Sequence, residues 1–498
     1  MNGDLAGRFG RGLFWNYVGR IGEFGIRFLF VSLVAKRLGP SDFGVYSFAY
    51  SIFVGGTLLG ALGYEQALNN FIPAHKDDDA AQSFLLQRIL ALRALIFAAL
   101  VIAGALLAPV LLRWRGPVAA GVIWALPYLF CFNIANLLAY FWVGRLEMRF
   151  VSIVRVLTQV VNLAAVWWLL DRGYGPQTVL LLMGATAAVA AVAYLLYSAR
   201  FLRGPATPLP MGRIHRFSLN LGAINGLNYL LGQQSDVALL GLLLRDTVQV
   251  GFYNLAGTLN MIAGTALLIG LEGVSLSAMA EMAAKGLDRL AAAWRAFMKV
   301  TMLLSVPALA FFALHAEKLL AFYGAEYADA APLLRATLAF TFANRFLGGG
   351  TSSAALYAMR RERWPLGIRI AAGALNVALA LAFIPRWGAM GAVVATGIAL
   401  NLSTAAELIV AARQTGAAYP GRFALAAALC TALASAASYP LTGGGIRGLA
   451  AGVGVFLLVF LAAFALARPL EPEDQAALAR LSPRLASWTR WFAREPRQ

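Results

Sequence analysis

Arg20, Glu23 and Arg27 stand at i, i+3 and i+7, a spacing that puts all three on one face of a helix. The run around them is otherwise apolar, where a charge at mid-membrane depth costs roughly 2.5–3.5 kcal/mol and is kept only against a partner or a watery cavity. A guanidinium is a planar fork of donors that matches phosphate oxygens in paired, charge-assisted hydrogen bonds. Glu23 can neutralise one arginine and leaves the other, so this face reads as the cationic wall of an anion-binding cavity. Arg345, beside Asn344 and ahead of Gly348, Gly349 and Gly350, is the expected opposing wall. Four further arginines lie within apolar runs or near their ends. Snorkelling from a helix end is the simpler reading of Arg88 and Arg369. For Arg93 and Arg335 snorkelling and cavity lining both stay open, and Arg93 is kept among the candidate substrate-binding residues.

The acidic candidates are fewer. Asp236 follows Gln233, Gln234 and Ser235 inside an apolar stretch. A carboxylate in such a place either pairs with an arginine or takes a coupling ion, Na⁺ or H⁺. Both stay open for Asp236, while Glu407 is given a structural or helix-end role. His75, His215 and His315 are solitary, and Cys131 and Cys430 have no ligand neighbours in sequence. There is no G-x-x-x-x-G-K-[ST] phosphate loop. No catalytic constellation, metal or cofactor is expected beyond the question of ion coupling. The chain is read as a transporter rather than an enzyme.

These residues must be held by elements suited to a bilayer. Over 498 residues, 60% are hydrophobic and 13% charged, with a mean hydropathy of +0.71, a composition that cannot form a soluble surface. The net charge of +18 comes from basic residues that punctuate apolar runs without forming a block, which argues against a nucleic-acid partner. The first apolar run carries charges and no A-x-A-like cleavage site, so it is expected to remain in place. Runs long enough to span predict an all-α polytopic membrane protein with about fourteen helices: 12–38, 42–64, 83–110, 117–143, 150–170, 176–199, 216–243, 247–271, 297–315, 330–358, 364–384, 388–411, 422–440 and 447–467. With the amino terminus inside, 25 basic residues fall on that side and nine opposite, which places both termini in the cytoplasm.

The chain is internally duplicated. Gly44, Tyr46, Ala49, Gly63 and Glu65 are matched 207 residues on by Gly251, Tyr253, Ala256, Gly270 and Glu272. A duplicated helical bundle places a substrate path between its copies. The expected division is an amino-terminal lobe, 1–204, a second lobe, 205–415, two further helices, 416–468, and a tail, 469–498. Glu65 and Glu272 end equivalent helices, which suggests a shared structural or gating contact. In the tail, Leu478, Leu481, Leu485, Trp488 and Phe492 at 3, 4, 3, 4 spacing with interleaved arginines predict an amphipathic helix for the anionic inner surface.

The run from Lys36 to Tyr46, KRLGPSDFGVY, resembles the signature after the first helix of polysaccharide flippases of the multidrug/oligosaccharidyl-lipid/polysaccharide exporter superfamily. Leu375 to Thr396, LNVALALAFIPRWGAMGAVVAT, is similar to their later hallmark of an Asn-containing helix, an I-P-x-x-G turn and a Gly/Ala-rich helix. The resemblance implies two six-helix lobes plus two carboxy-terminal helices. It also implies export of an undecaprenyl-diphosphate-linked oligosaccharide, such as an O-antigen, capsule or exopolysaccharide unit, across a bacterial inner membrane by alternating access. The expected partners are that glycolipid, the bilayer, and a polysaccharide polymerase or glycosyltransferase docking on the tail, with the chain itself a monomer. Trp15, Tyr17, Tyr140 and Trp142 are either sugar-stacking platforms or interfacial anchors. In the related lipid II flippase a sodium site uses an Asp, an Asn and Asp one turn apart, and a Thr. Asp236, Asn376 and Thr396 fall at matching places, whereas Ala380 replaces the second Asp, leaving proton coupling through Asp236 or no tight ion site. Alternatives are a cation-coupled multidrug extruder, which would want acidic cavity walls, a lipid II-type precursor flippase, and a membrane polymerase or ligase, which would need a large external loop.

Overall fold

The computed structural model describes residues 3–265, 268, 271–443, 445–471, 474 and 492, with side chains left aside at 3–24, 114–115, 117–118, 265, 271–274 and 442–447. Within that range the chain is helical and contains no β-strand. Nine described helices are long and apolar enough to cross a membrane, which makes this an all-α, polytopic membrane protein. The count is below fourteen for physical reasons. Two pairs of expected spans run together as Gly3–Ala61 and Arg363–Thr415. Two others are interrupted, and a third, 247–271, is described as helix only through Thr265.

The joined pairs break where the sequence says they must. Gly39 has φ 71° immediately before Pro40, and Gly388 has φ 58° three residues after Pro385. Proline lacks the N–H that would continue the ladder, and glycine accepts a backbone that L side chains avoid. At the second break Gln249 Oε1 accepts from the Ala389 amide at 2.9 Å, supplying the cap. The interrupted spans are Met211–Leu230 with Gln233–Leu243, and Ala331–Phe346 with Thr351–Ala358.

The chain forms two compact units, residues 21–255 with 377–392, and residues 1–20 with 256–376 and 393–498. The first has a core of Leu68, Ile72, Leu85, Trp142, Tyr194 and Phe201. Its buried charge is neutralised internally: Arg93, 1% exposed, donates to Glu65 Oε1 at 2.9 Å, to Asn133 Oδ1 and to the Ala61 carbonyl. Here too the duplicated segments meet at equivalent positions. A Cβ on Gly44 would lie 1.8 Å from the Thr247 carbonyl oxygen, and one on Gly251 2.2 Å from that of Pro40. Asn254, the repeat equivalent of Ser47, donates to the Ser47 hydroxyl at 2.8 Å. Glycine at both positions therefore lets the two helices cross backbone to backbone.

The second unit packs Trp294, Met298, Met302, Phe423, Phe460 and Phe464 together. Lys299, buried in its helix, is neutralised by Glu471 and Asp474 at 2.7 Å each. Phe492 lies 5.7 Å from Phe464. The rest of the predicted amphipathic tail helix falls outside the described residues.

Candidate functional site

A cavity of about 300 Å³ opens within the second unit where Ala331–Phe346 turns into Thr351–Ala358. Arg345 sits in the last turn of Ala331–Phe346 and Arg369 near the start of Arg363–Thr415. Both line the cavity, with Ser275, Thr301, Ser353 and Tyr357 adding polar groups. Phe297, Leu268 and Leu276 supply apolar wall, and none of the described lining residues is acidic. Gly349, Gly350 and Thr351 bring the amino-terminal end of Thr351–Ala358 to the same cavity, where the helix dipole favours an anion. Arg345 Nη2 donates to the Gly264 carbonyl at 3.0 Å, which fixes its side chain along the wall.

Arg369 departs from the snorkelling reading. Its Nε donates to Glu407 Oε1 at 3.4 Å and its Nη2 to Ser353 Oγ at 3.3 Å, and Ser353 donates in turn to Glu407 Oε2. Glu407 is thus the buried counter-ion of a cavity-lining arginine, a role its isolated place in sequence could not reveal.

Arg93, for which snorkelling and cavity lining both stayed open, is buried inside the first unit. The closed set of acceptors around it makes it an internal tie, and Glu65 acquires its structural contact through the same pair. Arg335 is exposed and pairs with Glu317 at 3.0 Å, and Arg88 is exposed. Trp142 is likewise a core residue, its indole donating to Ser198 Oγ at 2.9 Å. The side chains of Arg20, Glu23, Glu272, Trp15 and Tyr17 lie outside the described residues. Arg27 is exposed, and its charge lies within electrostatic reach of the Tyr46 and Tyr128 hydroxyls.

Those tyrosines belong to an aromatic ladder that sequence reading missed. Phe43, Tyr46, Tyr50 and Phe53 form a stripe along one helix, and Tyr128 and Phe132 close it from the Pro117–Gly144 helix, with Phe53 stacked on Tyr128 at 4.1 Å. The 3, 4, 3 spacing of the first four was the available signal. Tyr50 and Phe132 are half-buried and give the ladder an open edge.

Asp236 is fully buried in the first turn of Gln233–Leu243 and accepts from the Tyr253 hydroxyl at 2.5 Å. Gly232 and the hydroxyl of Ser235, which donates to the Gly232 carbonyl, explain why the expected helix over 216–243 breaks here. The break leaves the carboxylate at a half-helix amino terminus. Gln233 beside it donates to Asn254 Oδ1 at 2.9 Å. In the other unit Thr396 donates to Asn376 Oδ1 at 2.9 Å, bringing two of the expected ion-site oxygens together; Ala380, in the first unit, is buried. Among the described residues no three His, Cys, Asp or Glu side chains are grouped as metal ligands.

A family profile described as "Polysaccharide biosynthesis protein" matches residues 9–270. The chain belongs to that family. Its fold is similar to that of the lipid II flippase MurJ in an inward closed conformation, at 14% identity and a TM-score of 0.69 over 90% of this chain and 98% of that one. It is also similar to an inward-facing multidrug resistance MATE family transporter of the MOP superfamily, with 17% identity and a TM-score of 0.64 over 79% and 94% of the two chains. A MOP superfamily transporter from Pyrococcus furiosus aligns at 16% identity and a TM-score of 0.55, over 80% and 92%. No curated protein matches the sequence. This member of the polysaccharide biosynthesis family therefore has the MOP-superfamily transporter fold.

Proposed function

We propose that this chain is a flippase carrying an undecaprenyl-diphosphate-linked oligosaccharide, the repeat unit of an O-antigen, capsule or exopolysaccharide. It would move that cargo from the cytoplasmic to the periplasmic leaflet of a bacterial inner membrane. The observation that carries the reading, beside family membership, is a cavity with two arginines and no acidic residue in its described lining. A diphosphate is a dense anion that guanidinium forks suit, whereas an extruder of cationic drugs needs the opposite sign.

In this reading lobes 1–204 and 205–415 alternate access about the cargo, both termini face the cytoplasm, and helices 416–468 and the tail 469–498 complete a monomer. Arg20, Arg27 and Arg345 attract the diphosphate, with Glu23 holding the first helix face in register. The aromatic ladder beside Arg27 offers its open edge, Tyr50 and Phe132, to sugar rings. Crossing of the repeats at Gly44 and Gly251 closes the path at the end that the charge distribution places outside. Asp236, or Asn376 with Thr396, would take the coupling ion, H⁺ or Na⁺. Net transport draws on that gradient or on consumption of the glycan by a polymerase or glycosyltransferase.

Native mass spectrometry of protein purified gently from its own membrane, wild type beside Arg27→Ala, tests this. A copurifying polyprenyl-diphosphate glycan lost in the variant supports the reading. A drug-like ligand, or normal glycan export by Arg27→Ala in cells, overturns it.

A further inference from the structure

Glu407 sits behind the cavity, 4% exposed, while the arginine it neutralises lines the cavity. The two heavy-atom separations that tie the Arg369 guanidinium to this pair, 3.4 Å to Glu407 and 3.3 Å to Ser353, are at the long end of hydrogen-bonding distance. Ser353 touches both partners and also lines the cavity. Arg345 stands on the same wall, so an anion entering here meets a second guanidinium and the amino-terminal end of Thr351–Ala358. The cavity volume is at the lower end of small-ligand sites.

We propose that this pocket is an anion-exchange site: a phosphate or diphosphate group binds between Arg345 and Arg369 by displacing Arg369 from Glu407, and Glu407 recaptures Arg369 to expel it. A transport site must bind well enough to load and weakly enough to discharge. A buried carboxylate fixed one bond behind the ligand provides that, because it competes for the same guanidinium without entering the path. Ser353 serves as the pivot, its hydroxyl holding Glu407 while the arginine moves. The source of the anion, cargo diphosphate or phospholipid headgroup, is the only part that rests on the proposed flippase activity.

The test is isothermal titration of the purified full-length protein in neutral detergent with inorganic pyrophosphate, and with inorganic phosphate as the smaller probe. Wild type is expected to bind pyrophosphate, Arg345→Gln and Arg369→Gln to bind it at least tenfold more weakly, and Glu407→Gln to bind it several-fold more tightly, since the amide keeps its shape and loses its charge. Ser353→Ala, a milder change, is expected to tighten binding in the same direction if Glu407→Gln fails to fold. Weaker or unchanged binding by a folded Glu407→Gln, or no binding by wild type, overturns the exchange. Native mass spectrometry separates the sources. A polyprenyl diphosphate lost in Arg369→Gln assigns the site to cargo, and an anionic phospholipid lost instead assigns it to the bilayer. A glycolipid lost in Arg27→Ala yet retained in Arg369→Gln, with no anionic phospholipid lost there either, overturns this pocket and leaves the flippase standing.

Discussion

Arg93 with Glu65 and Arg369 with Glu407 are the same two residue types inside the same kind of apolar helix bundle, and they differ in where the arginine faces. The Arg93 and Glu65 side chains are 1% and 8% exposed, and the bond between them is 2.9 Å. Asn133, itself held by Thr57 and the Leu129 carbonyl, completes the enclosure. Arg369 is 29% exposed over a Glu407 at 5%, and its bond is 3.4 Å. Enclosure makes the first pair a rigid tie whose two charges cannot separate without leaving one in hydrocarbon. An open side makes the second exchangeable, because a ligand or water can replace the counter-ion.

The widest gap between the two pairs should come from removing one partner. Arg93→Ala strands the Glu65 carboxylate and is expected to destabilise by about 3–5 kcal/mol. Thermal unfolding followed by size-exclusion chromatography reads this, and an unchanged midpoint would show that Glu65 finds solvent. The double change Arg93→Met with Glu65→Leu should recover most of the loss, since a well-packed apolar pair often matches a buried ion pair. Overpacking the crossing of the repeats comes next. Gly44→Leu puts side chain where the Thr247 carbonyl stands, with an expected cost of about 1–3 kcal/mol and loss of the proposed glycan export.

At the open pair the same surgery should leave the fold nearly intact. Arg369→Met with Glu407→Leu is expected to shift stability by about 1 kcal/mol or less, as for partly exposed pairs, while pyrophosphate binding is lost. A collapse as large as that of Arg93→Ala would erase the contrast. The smallest effect belongs to the tail. The hydrogen bond from Lys299 holds the Glu471 carboxyl below its ordinary value. That contact is therefore present above the ordinary Glu pKa of about 4.3 and fades as pH falls through the lower folded value. Limited proteolysis at pH 3 and pH 6 should show the tail cut faster at the lower pH, and Glu471→Gln should narrow that difference, Asp474 keeping its own contact with Lys299.

Much of this was legible in the chain. Apolar run length gave the all-α membrane class, and the Gly-Pro and Pro-x-x-Gly breaks gave the ends of four helices, because those residues act through their own backbone. The 207-residue repeat marked Gly44 and Gly251, although not that they touch each other. Arg345, read as the wall opposite Arg20 and Arg27, lines a cavity with Arg369. Arg93, left open between snorkelling and cavity lining, is sealed, and Arg369, read as snorkelling, lines a cavity, since each is one arginine in an apolar run and nothing adjacent in sequence says which finds a closed shell. The breaks at Gly232 and at Gly348 to Gly350 were also passed over: the apolar runs on either side were read as one span, and the competition of Ser235 and glycine with the backbone ladder ends those helices.

Sequence by itself determined the solvent, the secondary structure, the duplication and the excess of positive charge, all of which follow from transfer energies and backbone sterics summed along the chain. Tertiary structure alone decided which arginine is sealed and which is open. Exposure and counter-ion distance depend on residues 28 and 38 positions away, Glu65 for Arg93 and Glu407 for Arg369, and electrostatic energy in a low-dielectric interior is set by separation in space rather than along the chain.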